Sequence, residues 1–117
     1  MDYSNLCQTV MDLDPGIRYV GICDDSGENL YGGQRDGVKD LLTKEETREA
    51  NIQTWAIWSV RGPFTSKIGR AKYTETEFEK IKRISMPVDD NYLLVVTAEV
   101  NVNHDDLIKK ILNLTQS

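Results

Sequence analysis

Several chemistries are set aside by what this sequence has little of. It holds one histidine, two cysteines and three prolines in 117 residues. A lone His104 beside Asp105 and Asp106 is far short of a zinc ligand set, and both aspartates suit the first turn of a helix, where its dipole favours negative charge. No serine stands in a GxSxG elbow. Gly32, Gly33 and Gly37 lack the Lys-Ser/Thr pair of a phosphate-binding loop and the GxGxxG of a dinucleotide fold, so a plain loop is expected there. No catalytic residue, metal or cofactor is therefore expected. Cys7 and Cys23 form no CxxC pair and read as buried apolar thiols. No stretch approaches the roughly 20 apolar residues of a membrane span, and no basic, apolar leader opens the chain. Membrane insertion is not expected, and a cytoplasmic location is.

Excess positive charge is also missing. The net charge is −5, which argues against general nucleic-acid binding, because phosphate contacts depend on accumulated Lys and Arg. The distribution is uneven. Residues 1–60 carry 11 acids and 5 bases, residues 61–83 carry 3 acids and 7 bases, and residues 84–117 carry 5 acids and 2 bases. The middle is a basic island in an acidic chain.

What is present is a full set of packing signals for one domain over residues 1–117. Tyr3, Leu6, Cys7, Val10 and Met11 share a helix face behind Asp2 as N-cap. Residues 17–23 are β-branched and aromatic, and Asp24-Asp25-Ser26-Gly27 supplies a turn into a second strand around residues 28–32. Gly33 to Gly37 reads as a loop. Thr43 and Glu46 have capping-box spacing at the start of a helix, with Ile52, Trp55, Ala56 and Ser59 on one face and Trp58 close to it. Gly62-Pro63 ends that helix. Residues 67–73 suit a strand, and a second is placed within 75–84, where the β-branched and aromatic residues outweigh helix-like charges. Residues 92–98 are a nearly unbroken apolar run, the mark of a central strand buried on both faces. Asn103 caps a last helix that buries Leu107, Ile108, Ile111 and Leu112.

The expected class is α/β (α+β): a central five-stranded, mostly antiparallel sheet with helices on both faces, in the order α-β-β-α-β-β-β-α. That order resembles the roadblock and dynein-light-chain family, and is close to the longin and profilin folds. The likeness runs through the hairpin at Tyr19-Val20-Gly21-Ile22 and Asp25 to Leu30, the long helix, the meander and the closing helix. Gly69 to Tyr73, Phe78 to Arg83 and Asp90 to Val95 are also similar to small archaeal proteins of unknown function placed near that family. The resemblance implies a homodimer or heterodimer that acts as a scaffold or as a regulator of a small GTPase. The Glu-alternating basic segment 75–83 departs from the family pattern.

Two groups of residues are candidates for a site. Ile52, Trp55 and Trp58 suit a core position, a subunit interface or the wall of a small-ligand pocket between helix and sheet. Arg61, Arg70, Lys72, Lys80, Lys82 and Arg83, with Lys67, suit either a basic face for an acidic or signalling partner, or a solvated edge neutralised by Glu75, Glu77 and Glu79 across adjacent strands. The leading expectation is a non-enzymatic, homodimeric interaction module. A small-ligand sensor is the alternative, and filament binding by analogy with profilin is the third.

Overall fold

The structure, a computed structural model, describes residues 2–60 and 64–115. α1 (Tyr3–Met11) starts where Asp2 accepts a hydrogen bond from the Asn5 amide at 3.0 Å. β1 (Ile17–Cys23) and β2 (Asn29–Gln34) form the first hairpin. α2 (Lys44–Ser59) opens on a complete capping box: Thr43 accepts from the Glu46 amide and Glu46 accepts from the Thr43 amide. A one-turn α3 (Thr65–Ile68) precedes β3 (Thr74–Glu77), β4 (Ile81–Pro87) and β5 (Leu93–Glu99). α4 (His104–Thr115) closes the chain, with Asn103 accepting from the Asp106 amide.

The five strands make one sheet in the order β2-β1-β5-β4-β3, and every neighbouring pair is antiparallel. β5 lies at its centre, as the apolar run requires. Strand alternation sends Leu94, Val96 and Ala98 to one face and Leu93 and Val95 to the other. The first face packs with Val20, Ile22, Ile84 and Met86 under α1 and α4. On the second face, Cys23, Leu93 and Val95 pack against Tyr19, Trp55 and Trp58, which hang α2 over the sheet.

Four local expectations are corrected. Residues 67–73 are not a strand: Lys67 and Ile68 finish α3, Gly69 ends it at φ +86°, and the strand begins only at Thr74. The two strands of this region are instead β3 and β4, joined by a tight turn in which the Phe78 amide donates to the Ile81 carbonyl at 2.8 Å. Gly33 and Gln34 belong to β2 and not to a loop, because they pair with Val20 and Tyr19. Ala56 and Ser59 are exposed, and the face of α2 that meets the sheet is Asn51, Trp55 and Trp58. The stop of α2 expected at Gly62-Pro63 lies outside the described residues.

Two glycines hold this arrangement together. Gly27, at φ +84°, ends the β1–β2 turn against α2, where a Cβ would stand 2.5 Å from the Arg48 carbonyl oxygen. Gly32, at φ +78°, would put a Cβ 2.1 Å from the Val20 carbonyl oxygen. A side chain at either position meets both the wrong backbone region and fixed neighbouring atoms.

Candidate functional site

Space is left open under α2, with a smaller pocket beside α1. α2 is fastened at two points. Near its middle, Asn51 is 1% exposed; its amide nitrogen donates to the Gly27 carbonyl at 3.1 Å, and its Oδ1 accepts from Arg83 Nη2 at 2.8 Å. Near its end, Trp58 Nε1 donates to Ser85 Oγ at 2.9 Å. Ser85 is paired with Thr74 of the edge strand β3, so the C-terminal end of α2 sits beside that edge.

Between the N-terminal half of α2 and the sheet lies a cavity of about 550 Å³. Tyr19, Arg18 and Thr97 form its sheet wall, and Lys44, Thr47, Arg48 and Asn51 its helix wall. Leu41 and Leu42, from the loop before α2, supply apolar surface at its margin. Arg83 enters from β4. Burial pulls the Arg83 guanidinium below its ordinary range, partly offset by the neighbouring Tyr19 and Cys23. Burial likewise pushes the Tyr19 hydroxyl up to about 12 and raises the Cys23 thiol.

Two of the basic residues, Lys82 and Arg83, do not share a face. Lys82 and Arg83 are consecutive on β4 and therefore point to opposite sides of the sheet. Lys82 is 5% exposed, donates to the Val102 carbonyl at 2.8 Å, and lies 3.2 Å from His104 Nδ1 and 3.9 Å from Glu77. An ammonium only donates, so His104 Nδ1 is the acceptor there. Arg83 faces α2. Arg70, Lys72 and Lys80 are exposed, and Arg61 lies outside the described residues. Of the expected cross-strand neutralisation, Glu77 is opposite and near Lys82, while Glu75 lies 3.7 Å from His104. Among the described residues no three His, Cys, Asp or Glu side chains converge as metal ligands.

Ile52, Trp55 and Trp58 are half-buried on α2, and none of the three lines the cavity. Outward from Trp58, the chain exposes apolar side chains in succession: Ile57, Val60 at 68%, Phe64 at 60% and Ile68 at 84%. Asn51 and Arg48 were not singled out from sequence. The signal for Asn51 was its spacing of four and seven residues from Trp55 and Trp58, which puts an amide on the inner stripe of a helix.

No helix among the described residues is long and apolar enough to cross a membrane. No curated protein matches the chain in sequence. In structure it is similar to a roadblock/LC7 domain from Streptomyces avermitilis, with a TM-score of 0.73 at 11% identity over 99% of this chain and 93% of that one. Myxococcus xanthus MglB aligns with a TM-score of 0.70 at 15% identity, over 97% and 88%. MglC from Myxococcus xanthus aligns with a TM-score of 0.62 at 17% identity, over 98% and 93%. These likenesses bear out the roadblock-type fold expected from the element order. In sequence, the model of the family of unknown function DUF6659 matches residues 1–116, so the chain belongs to that family and carries a roadblock/LC7 fold.

Proposed function

We propose that the chain works as one roadblock-type domain, a non-enzymatic interaction module that forms a homodimer in the cytoplasm and presents the joint surface to a small GTPase or another signalling protein. The observation that carries the reading is the edge strand β3, whose outer side has no strand partner among the described residues, next to a helix end followed by exposed Val60, Phe64 and Ile68. An open edge beside apolar surface is a template for a second copy, because strand pairing satisfies the edge amides while the apolar groups leave water. The fold likeness to roadblock domains supports the same use.

The test is light scattering of the intact chain at about 50 μM, a concentration at which a stable interface of ordinary size is populated. A dimer is expected, and Ile57→Asp, which places a carboxylate on exposed apolar surface without touching the core, should shift it toward monomer. A strict monomer in the unaltered chain would remove the proposal. The small-ligand alternative keeps its helix, since the cavity lies between α2 and the sheet, but the N-terminal half of α2 lines it and not Trp55 and Trp58.

A further inference from the structure

The cavity under the N-terminal half of α2 is separate from the edge used in that proposal, and its charge runs against that of the chain. Four cations line it, Arg18, Lys44, Arg48 and Arg83, against two acids, Glu28 and Asp40. The local balance is +2 in a protein of net −5. Arg18 is committed elsewhere, pairing with Glu99 at 2.7 Å and donating to the Lys39 carbonyl at 2.8 Å. Among the described residues, no carboxylate is in ion-pair contact with the other three, although Arg48 is near enough to Asp24 to help lower its carboxyl.

Arg83 is the telling member. Its acceptors among the described residues are two neutral oxygens, Asn51 Oδ1 at 2.8 Å and Thr54 Oγ1 at 3.4 Å, and both bonds leave from Nη2. A guanidinium has five N–H donors in a planar fork, so most of the fork is unused on these bonds. Placing a cation partly out of water with only neutral partners is costly unless an anion joins it. Asn51, held in turn by the Gly27 carbonyl, keeps that side chain in place.

We propose that this cavity is a binding site for a small organic oxyanion, a carboxylate- or phosphate-bearing molecule whose charged group sits against Arg83 and Arg48 and whose apolar part lies on Leu41 and Leu42. The volume of about 550 Å³ is within the range of small-molecule sites.

The test uses the full chain with sodium citrate and sodium phosphate as probes, followed by calorimetric titration and thermal melting, against sodium chloride matched in ionic strength. Saturable binding of at least one probe, with a rise in melting temperature above that in chloride, is the expected result. Arg83→Met and, separately, the exposed Arg48→Gln should each weaken it about tenfold, the loss of one charge-assisted hydrogen bond. Lys109→Gln, on α4, should leave affinity unchanged. If Arg83→Met does not fold, Arg48→Gln and Lys44→Gln decide the matter. A response equal to that in chloride, or an equal loss in Lys109→Gln, would overturn the proposal. So would unchanged affinity in the cavity variants that fold.

Discussion

The two faces of the sheet are built to different ends. Under α1 and α4, Val20, Ile22, Ile84, Met86, Leu94, Val96 and Ala98 meet Leu6, Val10, Leu107 and Ile111 in a continuous apolar layer. Under α2, three fully buried apolar side chains do the packing, the helix is pinned by Asn51 and Trp58, and the rest of the space holds a cavity with cations on its walls. One face is where burial stabilises the fold. The other keeps polar groups and open volume, which cost stability.

The comparison is sharpest at two neighbouring leucines. Leu93 and Leu94 are both essentially buried on β5 and point to opposite faces. Leu94→Ala should lower the unfolding free energy in urea by about 4 kcal/mol, and Leu93→Ala by about 2.5 kcal/mol, because a single helix settles into the gap more readily than a closed layer. Equal losses, or the reverse order, would break the distinction between the faces.

Asn51→Ala comes next. It frees the Gly27 carbonyl and strips Arg83 of its shorter hydrogen bond, so a loss of about 2 kcal/mol is expected in the same assay. A loss no greater than that of an exposed helix substitution would mean that the pin is idle.

The turns at the two faces offer a smaller contrast in pH dependence. Asp24 closes the β1–β2 turn, and the Ser26 hydroxyl, with the Ser26 and Glu28 amides, holds its carboxyl below the ordinary value. Asp89 sits in the β4–β5 turn; desolvation pushes its carboxyl up, but hydrogen bonds from the Tyr3 hydroxyl and the Asn91 and Tyr92 amides outweigh this and lower it. Both groups bind protons more weakly when folded. Their stabilisation is therefore present above the unfolded value of 3.8 and is lost as pH falls through the folded values. Asp24→Asn and Asp89→Asn should each flatten the acid limb of stability against pH. Tyr3 has the opposite sign: its bond to Asp89 raises its hydroxyl from 10.0 to about 12, so the stability it adds is complete below 10 and disappears as pH climbs toward 12. Tyr3→Phe should remove that alkaline decline.

The smallest effect concerns the cysteines. Each packs on a different face of the sheet, Cys7 on the inner side of α1 with its thiol pushed to about 11 by burial, and Cys23 on β1 beneath α2 with its thiol also raised by burial. Alkylation at pH 8 should be slow at both in the native protein and fast in urea, with Cys23 the earlier to react if the α2 face opens first.

Much of this was legible in the chain because the signals are local. Asp2, Thr43 and Asn103 act within three residues of themselves as helix caps. The apolar run at 92–98 needs no partner to announce a central strand. Within the basic island, closeness in sequence is not closeness in space: on a strand, neighbours diverge, and Lys82 and Arg83 hydrogen-bond to groups 20 to 32 residues away on opposite sides of the sheet. The strand expected at 67–73 failed for a related reason. Gly69 and the turn at 78–80 decided the register of the hairpin, whereas propensity was spread evenly along the segment.

The order of the main elements, the two-sided burial of β5 and the starts of three helices were set by short-range periodicity and capping, which any stretch of the chain carries within itself. Which side chains meet under α2, how Asn51 comes to hold Arg83, and the cavity beside them were decided only by the docking of that helix on the sheet. The reason is physical: a hydrogen bond or a void between segments 30 residues apart depends on the position of both, and no local pattern encodes it.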